Sequence, residues 1–175
     1  MKTYIFFVRF GGFYAVHTVE AESKEHALEL LKAGPTCFDG IPNPQIICVE
    51  QVRLTKQEWF ENAVRGLHSQ GWEKSMEGSN GCRYTSVQEE GKELHCAIGW
   101  SCPVAPEERT VDYLESKGFV VVTDFTSVPN GFDFLTELQG CHDHSKGTRD
   151  MALGFEAFGR ELDLMWPTSV PKPTR

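Results

Sequence analysis

Two short runs hold the side chains best suited to chemistry: Cys96-Ala97-Ile98-Gly99, preceded by Leu94-His95, and Cys141-His142-Asp143-His144. A cysteine becomes a nucleophile when a base within hydrogen-bond reach holds it as a thiolate. On that chemistry Cys96 attacks and His142 is the base. Asp143, or Asp124 from an earlier loop, orients the imidazole, giving a cysteine-dependent hydrolase or transferase. Adjacent helical side chains diverge by about 100°, so Asp143 reaches His142 only if the helix ends there. Zinc is a second chemistry, since it takes four Cys or His ligands in a tetrahedron. Cys82, Cys96, Cys141 and His142 are the donors for it, with Cys102 and His144 in reserve, but the chain has no Cys-x-x-Cys pair to form a rigid half-site. The third reading is the one the pattern favours. His142 continues the apolar stripe of Leu135 and Leu138 and is a core histidine with its bonds satisfied, with no metal or cofactor involved.

Two strand candidates, Cys82 to Val87 and Leu94 to Ile98, flank the polar run Gln88-Glu89-Glu90-Gly91 and must position the first cysteines. Their register is open. If Val87 lies opposite Lys92, Cys82 and Cys96 face opposite ways. If it lies opposite Glu93, Cys82, Tyr84, Cys96 and Ile98 share one face and His95 is turned out, because side chains alternate with period two. The second register suits the polarities better. Tyr84 and Trp100 are the candidate binding residues, Trp100 as an interface anchor on a loop beside Pro103.

The helix that carries His142 follows the turn Pro129-Asn130-Gly131 and presents Phe134, Leu135, Leu138, Cys141 and His142 on one side. Ahead of the hairpin, Thr55 and Glu58 form a capping box, and Phe60, Ala63, Val64 and Leu67 follow helical spacing up to Gly71. A helix over Pro106 to Lys117 and a strand over Phe119 to Thr123 come next. The last helix spans about Thr148 to Leu164, with Met151, Phe155, Phe158 and Leu162 as its stripe. The start of the chain is a separate ββαβ pattern. Thr3–Phe10 and Phe13–Val19 alternate around Gly11-Gly12, a primed-turn pair. Ser23 caps a helix stopped by Gly34-Pro35, and Gln45–Val52 is a third strand. The apolar residues on both faces of these strands predict that at least one is covered on two sides.

The fold class is therefore α+β: a small ββαβ module over 1–53, a mostly helical module around a short hairpin over 54–166, and a proline-containing tail over 167–175 that should fray. The chain has 175 residues with a net charge of −8. Residues 1–53 carry 5 basic and 6 acidic side chains and the remainder 12 and 19, so the acidity belongs to the larger module. That balance disfavours a general phosphate-backbone binder, and no stretch approaches the ~20 apolar residues of a membrane span. Six scattered cysteines suit reduced thiols in a cytosol.

Three motifs occur in order: Cys82-Arg83-Tyr84 after a helix ending at Gln70-Gly71, then Cys96-Ala97-Ile98-Gly99, then Leu138-Gln139-Gly140-Cys141-His142-Asp143. Over Glu58 to Asp143 the chain resembles a family of small proteins met in bacteriophage genomes and bacterial prophages. It departs from that pattern at Trp100-Ser101-Cys102-Pro103, where the family continues with an apolar pair and proline. The resemblance implies a phage origin and the cytosol of a bacterial host as compartment; with the acidic charge beside it, a host or phage protein is the expected partner. The expected function is an accessory protein that binds a macromolecule through its acidic surface, inhibition of host defence being one version.

Overall fold

The computed structural model describes residues 1–10, 13–34, 45–76, 85–88, 91–102 and 126–174. Cys82, Tyr84, Asp124, and the helix and strand expected over Pro106 to Thr123 lie outside the described residues. The chain is α+β and divides into two units, with Met1–Val52 in the first and a boundary before Arg53.

In the first unit, β1 (Lys2–Phe10), β2 (Phe13–Ala21) and β3 (Gln45–Glu50) form an antiparallel sheet in the order β2-β1-β3. One helix, α1 (Lys24–Ala33), packs against it. Ser23 caps α1, its hydroxyl accepting the His26 N–H at 3.2 Å, which satisfies one of the first-turn amides. Alternation sends Tyr4, Phe6 and Val8 to the face that packs with Ala27 and Leu31. Ile5 and Phe7 point the other way, yet they are buried too. The central strand is covered on two sides, as its double apolar pattern requires.

The second unit opens with α2 (Lys56–Ser69). Its capping box is complete: Glu58 takes the Thr55 N–H at 2.8 Å, and the Thr55 hydroxyl accepts from the Glu58 N–H at 3.3 Å. The Thr55 N–H and the Thr55 hydroxyl, which also donates to this carboxylate at 2.8 Å, hold the Glu58 carboxyl below its usual range. Their contribution is therefore present above the ordinary carboxylate pKa and is lost as pH falls through the lowered one. Thr55→Ala should cost about 1 kcal/mol at pH 7, and less at pH 3, measured by urea denaturation at both pH values. Trp59, Phe60, Ala63, Val64 and Leu67 are wholly buried along one side of α2. The Trp59 indole N–H has no hydrogen-bond partner there. Gly71 (φ 77°) and Trp72 (φ 60°) then reverse the chain in the left-handed region. Gly71 does so without strain, whereas Trp72 is held by packing on Trp166 and Phe155.

Next comes the hairpin of β4 (Thr85–Val87) and β5 (Glu93–His95), with Val87 opposite Glu93. Of the two registers open to the sequence, this is the one that polarity favours. The second strand is shorter than expected. Instead of running through Ile98, the chain turns at Cys96 into a helix, α3 (Ala97–Ser101). The Trp100 and Cys102 amides bond back to the carbonyls of Cys96 (3.0 Å) and Ile98 (2.8 Å). Ala97, Ile98 and Ser101 are buried, and the Ser101 hydroxyl donates to the Trp59 carbonyl at 2.9 Å. His95 was expected on the outside of the hairpin and is instead buried, because the turn at Cys96 brings Trp100 back against its ring at 4.6 Å.

Among the described residues two long helices follow, α4 (Gly131–Asp143) and α5 (Thr148–Glu161). α4 buries Phe134, Leu135, Leu138 and His142, as its stripe predicts, and α5 buries Met151, Phe155 and Phe158. Over 167–174, where the prolines suggest a fraying end, Pro167 and Val170 are buried. The Trp166 indole N–H donates to the Val170 carbonyl at 2.8 Å.

Candidate functional site

His142 has no solvent-exposed surface. Its Nε2 lies 3.4 Å from the Ser75 backbone N–H, which can only donate. Nε2 therefore accepts, and the ring proton sits on Nδ1, 2.9 Å from the Asp143 carboxylate. α4 ends at Asp143, with His144 as its C-cap. That ending frees the aspartate to swing back on its neighbour, which a continuing helix would prevent. Asp143 is thus the orienting group for His142, and its own side chain stays 38 % exposed. Ser75 is itself tied to the hairpin, its hydroxyl donating to that of Ser86 at 3.0 Å.

Cys96 is the N-cap of α3. Its sulfur accepts the Gly99 N–H at 3.3 Å, and the residue is only 2 % exposed. A thiol in this place satisfies a helix-end amide as a serine hydroxyl would. The two motifs meet through Gln139, a buried amide on the α4 stripe. Its Oε1 accepts the Ile98 N–H at 3.2 Å, another first-turn amide of α3, and its Nε2 donates to Asp143 at 2.6 Å. One glutamine thus binds the turn that follows Cys96 to the carboxylate that orients His142.

Gln70 does the same from the other side. Its Oε1 accepts from the His95 N–H (3.0 Å) and the Trp100 indole N–H (2.6 Å). Its Nε2 donates to the carbonyls of Glu73 (2.6 Å) and His95 (2.8 Å). Both lone-pair directions and both protons of this amide are used. Trp100 is accordingly not an exposed anchor. It is half-buried, bonded to Gln70 and packed edge-on against His95. The sequence marks the cysteine and histidine of these motifs as the chemical residues and passes over the glutamines. The available signal was polarity out of place, since Gln139 continues the buried series from Leu135 at helical spacing.

Of the metal donors, Cys96, Cys102 and His142 are buried and Cys141 is partly so, while His144 is exposed. Among the described residues no group of three or more His, Cys, Asp or Glu side chains is arranged to hold an ion. Burial pushes the Cys141 thiol up to about 12. Cys141 is therefore a thiol at every physiological pH. Its alkylation by iodoacetamide in the folded chain should rise about tenfold per pH unit from 7 to 10 without levelling off, as followed by mass spectrometry of the Cys141 peptide. A thiol near the free value of ~8.5 would level off above pH 9.

No helix among the described residues is long and apolar enough to cross a membrane. Set against known proteins, the chain matches no protein-family model, no curated protein and no solved structure.

Proposed function

We propose that this chain is an accessory protein of bacteriophage origin that works by binding a host or phage protein in the bacterial cytosol, inhibition of host defence being one form of that activity. The phage origin rests on the ordered motifs shared with the phage family. The observation that carries a binding role over a catalytic one is the state of His142: no surface open to a substrate, and both ring nitrogens committed to Asp143 and Ser75. Cys96 belongs to the same scaffold, as the cap of α3.

The outer side of α4 is the surface this reading favours for the partner. Asp133 and Glu137 are exposed there one helical turn apart, and the helix contains no lysine or arginine. Phe132 stands half-exposed at its start. A basic face on the partner with an apolar notch complements this arrangement, and charge complementarity of this kind chiefly sets association rate and selectivity.

The test is affinity capture from bacterial lysate with the tagged full chain, at low and at physiological salt. A single basic protein should be retained by the wild type and lost with Asp133→Lys combined with Glu137→Lys. Recovery of the same proteins by wild type and double variant, or of none at either salt, would overturn the reading.

A further inference from the structure

We propose that two copies of this chain join edge to edge through β2, continuing their sheets into one across a two-fold axis. The hydrogen-bond pattern of the sheet decides which groups β2 offers. The Gln51 N–H donates to the Thr3 carbonyl at 2.8 Å, so Thr3 and every second residue after it on β1 bond toward β3. Tyr4, Phe6 and Val8 therefore bond toward β2, where their partners are Val19, His17 and Ala15. The backbone N–H and C=O groups of Val16, Thr18 and Glu20 point away from β1. β2 ends the strand order β2-β1-β3, and all three residues are exposed, Val16 to 40 %.

Natural sheets guard such an edge with lysine, proline or a bulge. β2 has none of these. Its register with β1 is unbroken over nine pairs, and Phe13–Ala21 contains no lysine, arginine or proline. The opposite edge is better covered: of the residues of β3 that point outward, Cys48 is buried and Glu50 is paired with Lys2 at 2.9 Å.

Charge along β2 favours a second copy as the occupant. Glu20 is its one carboxylate and stands near one end, so a basic strand of another protein finds little to read along this edge. An identical strand finds a match over its whole length. Run antiparallel with full overlap, the two copies have their axis at His17, and Val16 lies opposite Thr18 of the second copy. This register joins outward groups to outward groups, giving about eight backbone bonds, two for each hydrogen-bonded pair. β-branched side chains meet across the junction, and the two Glu20 positions stand about 20 Å apart. A parallel pairing in register would set Glu20 beside its own copy. Residues 1–53 carry 5 basic and 6 acidic side chains, so little net repulsion opposes the union of these units. The pairing rests on the first unit alone and is independent of the partner proposed for α4.

The test is sedimentation equilibrium of the full chain from about 5 to about 500 µM, a range suited to a small interface made by one strand. A monomer–dimer equilibrium should appear, with a dissociation constant of about 50 µM. Thr18→Pro removes an outward N–H and leaves the bonds to β1 in place, and Val16→Lys sets two cations diagonally across the axis. Each should weaken the dimer about tenfold or more, whereas Glu20→Gln should change it less than about twofold. Amide exchange by NMR locates the contact. The Val16, Thr18 and Glu20 N–H groups should exchange about threefold more slowly at about 500 µM than at about 30 µM, while those of Ala15, His17 and Val19, bonded to β1, stay protected at both. The proposal falls if the chain is monomeric throughout the range or if both edge variants dimerise as the wild type does. It falls equally if Glu20→Gln tightens the dimer about tenfold, the mark of a parallel pairing, or if the outward amides exchange alike at the two concentrations.

Discussion

Gly66→Ala is expected to destabilise the protein by about 3 kcal/mol or more, although alanine is the better helix former by about 1 kcal/mol. Gly66 lies within α2 on its buried side, and a Cβ built there would fall inside the indole of Trp100. The contact involves the ring's own carbons and the Trp100 Cβ, so a change of side-chain rotamer does not relieve it. α3 must withdraw from α2. Doing so strains the Trp100–Gln70 bond and the Ser101 bond to the Trp59 carbonyl. Overpacking alone typically costs 1–3 kcal/mol, and each buried polar group left unpaired adds about 1–3 kcal/mol. These outweigh the gain in helix propensity several-fold. The measurement is the urea midpoint of the full chain, with a second comparison in a Trp100→Ala background. With the indole gone only the Cβ of residue 100 remains, 2.7 Å away, so the same substitution should cost less than half as much. Equal effects in the two backgrounds would show that the clash is not the cause.

Gln70→Met should cost about 3–4 kcal/mol, close to the largest effect available from one polar side chain. The volume is nearly conserved, so little of the loss comes from packing. What is lost is four bonds at one buried amide. The Trp100 indole N–H and the His95 backbone N–H lose their acceptor together, and two carbonyls lose a donor. At about 1–3 kcal/mol for each buried group left unsatisfied, partial rescue by water sets the total. Gln139→Met should cost less, about 2 kcal/mol, since Asp143 is exposed enough to be solvated while the Ile98 N–H is not. Equilibrium unfolding by fluorescence and by circular dichroism ranks the two. Gln139→Met at or above the cost of Gln70→Met would mean that the α4 side of α3 is the stronger anchor.

The elements that could be read from the sequence are those decided within a few residues. The Thr55–Glu58 capping box, the α2, α4 and α5 stripes and the β1 and β2 strands each draw on neighbours three or four positions away, or on strict alternation. The hairpin register followed from polarity, because a slip of one residue would have turned Leu94 outward. α3 was missed for the opposite reason. Leu94-His95-Cys96-Ala97-Ile98 alternates well enough to be a strand, and five residues are too few for a helical period to stand out. What selects the helix is an amide acceptor from Gln139, 41 residues away from Ile98. The burial of His95 follows from α3 and was missed with it. At the candidate site, His142 could be placed in the core from its stripe. Its pairing with Asp143 depended on where α4 stops, and nothing in Cys141-His142-Asp143-His144 fixes that position to a single residue.

The bare N–H of Trp59 gives the molecule a built-in optical label. An excited indole shut off from solvent and without a hydrogen bond has little to relax against, so Trp59 should emit at the blue edge of the tryptophan range while the other three, each at least partly open to solvent, emit further to the red. Its signal reports how well the buried side of α2 is closed to solvent, and the first water to reach this N–H should be visible as a colour change before any helix has melted.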